Sequence, residues 1–225
     1  MSDLNKTARI TGLWYLGIAL TGVFGFLLVR PAIYVAGDAA ATAQNLIDHA
    51  ALARLGVVLE MGIVVTQALA AIWFYKLFRS FGEIAAGSLA AFGFVNAVAI
   101  LGSAGFMATA IEVSADAGLA PGGDAAATIQ LMYVLSSNFW SVGALFFGLW
   151  LIPMGYLALT SGRMPKGLGW TLMGGGGGYL LSAFLSNGVA GAPVWLVEGL
   201  TAPASVGEFW MIGYLLSVGL RPSPR

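Results

Sequence analysis

Cysteine is missing from the 225 residues, and charge is nearly so: ten Lys and Arg and ten Asp and Glu make up 9% of the chain, beside a single histidine. Without cysteine there is no disulfide, no thiolate nucleophile and no thiolate metal ligand. One histidine, His49, cannot supply bis-histidine haem ligation or a His-rich zinc site. A Ser-His hydrolase would have to use Ser136 or Ser137, and no nucleophile motif surrounds either. The three lysines, Lys6, Lys76 and Lys166, all border apolar runs, so none is placed for a retinal Schiff base in mid-membrane. Phosphate-binding loops are also lacking. Lys166 precedes the glycine run Gly174 to Gly178, and GxGxxG fails there in every register. No cofactor, no metal, no nucleic-acid partner and no catalytic residue is expected.

So few charges cannot solvate a soluble domain of this size, in which about 25% would be usual. What fills the chain is apolar: 59% of residues are hydrophobic. Uncharged runs cover 10–29, 84–111, 125–162 and 167–197, and two more, 55–75 and 199–220, are broken by Glu60 and Glu208 alone. Crossing the hydrocarbon core takes about 20 apolar residues as helix, so each run suffices for one crossing. The expectation is an all-α, polytopic membrane helix bundle, one domain over 1–225 with six spans at about 10–29, 54–76, 84–111, 138–160, 168–190 and 201–220. The start of the long run at Ala125, through about Leu135, reads as an outer or interfacial helical segment before the fourth span. A barrel is excluded, because its strands run about 10 residues with alternating polarity.

Six spans put both termini on one side, and the short-loop bases decide which. Lys6, Arg9, Lys76, Arg79, Arg163, Lys166, Arg221 and Arg225 fall on one face, against Arg30 and Arg54 on the other. Both termini are therefore expected in the cytoplasm, and the protein in the cytoplasmic (inner) membrane. The first apolar run is longer than a signal-peptide core and reads as an uncleaved span.

In lipid the backbone must hydrogen-bond to itself, so the run "MGGGGGY" reads as helix rather than loop. Gly174 and Gly178 stand at GxxxG spacing and are expected to let a neighbouring backbone approach closely. Bulk at Gly174 or Gly178 should then be harmful and Gly175→Ala mild.

Several stretches carry a family resemblance: "FGLWLIPMGYLALTSGRMPKGLG" (Phe147 to Gly169), "VGEFWMIGYLLSVG" (Val206 to Gly219), and the early "KTARITGLWYLG" with "GDAAATAQNLIDHAALARLGVVLEM". Together they resemble the bacterial membrane family called domain of unknown function 4386. The resemblance implies a six-span bacterial membrane protein with no established activity and adds no catalytic residue.

Two acids lie inside apolar runs, Glu60 and Glu208. A charge at the bilayer centre costs roughly 2.5–3.5 kcal/mol even on the gentlest scale, so such residues usually face the protein interior. If the second span starts near Ala53 and the sixth near Thr201, both carboxyls lie about 10 Å in. Glu60 shares a helical stripe with Gly56 and Gln67, and Glu208 one with Thr201 and Ser205. Asn138, Ser141, Ser186, Asn187 and Glu112 lie near the same level, which together suggests a polar recess open to the outside.

One reading is structural: these groups hold helices together, with the carboxyls protonated or paired to Arg54 or Arg30. Arg54 and Glu60 point to different faces of their shared helix. The functional reading is a cavity binding a hydrophobic or lipid-like ligand, or a membrane partner, with Glu60, Glu208, Gln67, Asn138, Asn187 and Arg54 as its polar contacts. Membrane lipid, a hydrophobic small molecule or a partner membrane protein are the occupants expected. Two alternatives stand beside it: a small proton-coupled transporter, for which no internal repeat is visible, and an accessory subunit of a membrane complex.

Overall fold

A computed structural model describes residues 3–222; Arg225, counted above among the bases of one face, lies outside them. Helix α1 (Asp3–Phe24) runs through one π-helical turn, Gly25–Val29, into the short α2 (Arg30–Ile33). Then come α3 (Ala39–Asp48), α4 (Ala50–Phe78), α5 (Glu83–Ala115), α6 (Ala125–Thr160), α7 (Lys166–Gly188) and α8 (Val194–Ser217). Among the described residues there is no strand.

Four stretches, Asp3–Ile33, Ala50–Phe78, Glu83–Ala115 and Ala125–Thr160, are long and apolar enough to cross a membrane. The remaining two long helices, α7 and α8, have 23 and 24 residues and are not among those four.

Helix ends follow from local chemistry. Asp38 caps α3 by accepting from the Ala41 N–H at 2.9 Å, and Asp124 caps α6 through the Ala127 N–H at 2.9 Å. Between Ala125 and Asn138 there is neither Gly nor Pro, and the helical segment expected there is continuous with the following one in a single 36-residue helix. Pro193 immediately precedes α8, whose first residue is Val194 rather than the expected Thr201. With α4 starting at Ala50, Glu208 lies about one turn further along its helix than Glu60 does along its own.

The chain divides into two compact units. The first comprises Met1–Leu16, Thr66–Ala97 and Ser141–Arg225, the second Gly17–Val65 and Val98–Trp140. The second unit has a core of Val29, Ile33, Leu46, Met107 and Ile129, with Tyr133 stacked on Tyr34 at 5.5 Å. In the first unit Tyr15, Phe74 and Trp150 meet edge to face, their ring centroids 5.4–5.9 Å apart.

Glycines set the packing of α7 in the first unit. A Cβ at Gly148 would stand 2.7 Å from the Gly176 carbonyl oxygen, and one at Gly176 would stand 2.7 Å from that of Gly148. Gly155 and Gly169 repeat this reciprocal arrangement at 2.5 and 2.8 Å. On each helix the two glycines are a heptad apart, the period that keeps one seam facing a neighbour.

Towards α8, a Cβ at Gly175 would lie 2.5 Å from the backbone N and Cα of Ala204, and one at Gly178 would meet the Leu200 carbonyl oxygen. Gly174 is exposed, and a Cβ there would find nothing within 4 Å. The expected packing face at Gly174 and Gly178 is therefore corrected: Gly178 packs, Gly174 does not, and Gly175 and Gly176 do. A single GxxxG stripe supposes one neighbour. Helix α7 has two, and because successive residues turn by about 100°, adjacent glycines serve different partners.

Candidate functional site

The second unit contains a polar cluster in apolar surroundings. Arg30 begins α2 directly after the π-helical turn, a kind of distortion frequent at functional sites. Its Nη1 donates to Glu60 Oε1 of α4 at 3.4 Å, while Nη2 donates to the hydroxyls of Ser136 and Ser137 of α6 at 3.0 and 2.9 Å. One turn along α6 from Ser136, Trp140 gives its indole N–H to the same Glu60 oxygen at 3.1 Å. Ser103 of α5 shares a hydrogen bond of 2.7 Å with Ser136, and Ser137 passes its own proton to the Tyr133 carbonyl at 2.9 Å. Phe26 meets Trp140 edge to face at 4.5 Å and lies 5.6 Å from the Arg30 guanidinium carbon.

Both charged side chains are withdrawn from solvent, Arg30 to 13% and Glu60 to 6% exposure. Desolvation on that scale is offset only by good geometry and full hydrogen bonding, and here neither is complete. The ion pair is long, and Glu60 Oε2 is buried without a hydrogen-bond partner among the described residues, as is the Tyr133 hydroxyl. An unsatisfied buried acceptor costs about 1–3 kcal/mol, so Oε2 is a place where a donor would be stabilising. Glu60 and Arg30 line a void of about 10 Å³, whose other walls are Gly25, Phe26, Gly56, Ile63 and Met107. A water-sized group fits such a space.

In the first unit, Glu208 accepts from the Tyr15 hydroxyl at 2.7 Å. Glu60 and Glu208 thus have different partners in different units. Gln67 is buried, whereas Arg54 and Asn138 are exposed. Asn187 pairs with Ser141, its amide donating to the hydroxyl at 3.1 Å, and lies on an open recess of about 550 Å³ beside the α7–α8 turn, with Ser186 and Glu198. Of the six polar residues expected in one recess, the cluster around Arg30 includes Glu60.

Sequence reasoning named Arg30 as a possible partner of Glu60 and noticed Ser136 and Ser137 for another reason. Ser103, Trp140 and Tyr15 went unnoticed. Arg30 is conspicuous as a base directly after the apolar run 10–29, whereas single serines and tryptophans in apolar helices carry no comparable mark.

A family model described as Domain of unknown function (DUF4386) matches residues 10–219. No curated protein and no solved structure matches the chain.

Proposed function

Because the chain belongs to this family of unknown function, its role has to be read from the polar cluster, and we propose a bacterial cytoplasmic-membrane protein whose second unit binds an amphipathic, lipid-like molecule. The observation that carries the proposal is Glu60 Oε2: a buried acceptor with no hydrogen-bond partner among the described residues, on a residue that lines an opening between apolar walls. The matching ligand brings one small donor, a hydroxyl or an ammonium, to that oxygen. The small void admits that terminal group but not the chain, so the apolar part of the ligand lies outside it, against the partly exposed Phe26.

Native mass spectrometry of the purified full-length protein tests this. Glu60→Gln keeps an acceptor for Arg30 and Trp140 but can place an amide N–H₂ where Oε2 stands. Wild type is expected to carry an amphipathic adduct, and the folded Gln variant to retain it at least about tenfold less, since hydrogen bonds to charged groups contribute about 1.5–3 kcal/mol. Equal retention by both overturns the proposal.

Six spans belong to the same reading. Helices α7 and α8 are long enough to join the four more apolar stretches, with close glycine contacts in place of apolar side chains. Lys6, Arg9, Lys76, Arg79, Arg163, Lys166 and Arg221 then mark the cytoplasmic side, with both termini there. The native lack of cysteine gives a clean labelling background. Single cysteines at Leu119, exposed in the α5–α6 turn, and at Ser161 are expected to react with a membrane-impermeant thiol reagent in intact cells at Leu119 alone. Labelling at Ser161 alone inverts the topology.

A further inference from the structure

Chain ends and turns of the first unit converge on a basic surface. The Arg221 N–H donates to the Arg163 carbonyl at 3.1 Å, and Arg163 Nη1 donates back to the Arg221 carbonyl at 3.2 Å. The Tyr214 hydroxyl donates to the same Arg163 carbonyl at 3.1 Å. These bonds tie the α6–α7 loop to the end of α8. Arg163 also lies 5.5 Å from the ring of Phe81, in the α4–α5 turn. The amino end of α1 joins through Asn5, which accepts from the Leu220 N–H at 2.9 Å. Lys6, Lys76, Arg79 and Lys166 belong to these same ends and turns and are exposed.

Among the described residues none of these bases lies within 4.0 Å of a carboxylate; the acids nearest in sequence, Asp3 and Glu83, are exposed and form no ion pair. What holds the arginines is aromatic and main-chain contact: Arg221 lies 6.0 Å from the Tyr214 ring. Their charge is left for an external anion. Trp170 and Trp210 point to which one. They are 64% and 41% exposed, and Gly167, in the first turn of α7, lies against Trp210. Large amphipathic rings beside bases are the composition of a membrane–water boundary, and neither an acidic peptide nor a free anion needs them.

We propose that this surface is a binding site for anionic phospholipid, with the phosphodiester held between Arg163 and Arg221 and the glycerol and upper chains against Trp170 and Trp210. Arginine suits the task because its planar fork meets phosphate oxygens in pairs. The proposal rests on the membrane-spanning reading but not on the Glu60 ligand, and cysteine labelling tests that reading separately.

The experiment titrates the full-length protein in neutral detergent with phosphatidylglycerol and, separately, phosphatidylcholine, followed by native mass spectrometry. Phosphatidylglycerol is expected to bind at least about tenfold more tightly, and the Arg163→Gln/Arg221→Gln pair to lose at least about tenfold, as two bases near a lipid surface should. Gln keeps a donor for the Arg221 carbonyl. Should that pair fail to fold, Arg221→Glu, at an exposed side chain, is expected to lose phosphatidylglycerol selectivity on its own. Equal affinity for the two lipids, unchanged affinity in a folded variant, or displacement of the lipid by millimolar inorganic phosphate overturns the proposal.

Discussion

Arg30→Ala is expected to lower stability by about 3–5 kcal/mol, the usual cost of removing one partner of a buried ion pair. The loss arises less from the bond, which is long at 3.4 Å, than from what remains: a carboxylate at 6% exposure with no countercharge, left to the neutral donors Ser103 and Trp140. Ser136 and Ser137 also lose the donor they share. Glu60→Ala should be comparably harmful, because it strands the guanidinium. Glu60→Gln should fall between Ala and wild type, since an amide still accepts from Arg30 and Trp140 but carries no countercharge. Replacing the pair together, Arg30→Met with Glu60→Leu, should cost clearly less than either alanine variant, as desolvation is then no longer required of either charge. Denaturation in detergent followed by tryptophan fluorescence reads all four, Trp140 serving as a local reporter. If the losses of the two single alanine variants simply add in the double alanine variant, the cluster is not coupled, because groups in one network normally interact by about 0.5–3 kcal/mol.

Gly175→Ala is the second large effect expected, and it reverses the mildness that the sequence suggested. The new methyl would stand 2.5 Å from the N and Cα of Ala204, and a backbone cannot change rotamer to make room. Helix α8 would have to move away from α7, straining the neighbouring contacts at Gly178 with Leu200 and at Gly207 with Leu172. Overpacking commonly costs about 1–3 kcal/mol, and a clash with main chain belongs at the upper end. Gly176→Ala should behave alike against α6, where the obstacle is the Gly148 carbonyl oxygen at 2.7 Å. Gly174→Leu, by contrast, should accumulate and melt like the parent, because its position faces open space. Thermal stability of the detergent-solubilised variants, followed by size-exclusion chromatography, decides the matter. A stable Gly175→Ala together with an unstable Gly174→Leu would mean that α7 is rotated from the orientation described.

The sequence by itself determined the helices. Runs of about 20 or more largely apolar residues bounded by charges predict long helices at six places, and long helices stand at all six. Period and length are local properties, so they are legible along the chain. It also singled out Glu60, because one acid in an apolar run is conspicuous wherever the helix lies. Which groups surround that acid was decided by tertiary structure. Arg30 and Ser136 are separated by 106 residues and meet only when α2 and α6 pack. Arg54, six residues from Glu60 on the same helix, faces outward because that spacing turns it to another side. The glycine run shows the same division. That glycines would allow close approach follows from their lacking a Cβ, whichever helix comes near. That α7 has a neighbour on two sides, so that Gly175 and Gly178 face α8, Gly176 faces α6 and Gly174 faces neither, depends on the rotation of one helix between two others. Helices apolar on nearly every side carry no amphipathic stripe to reveal that rotation.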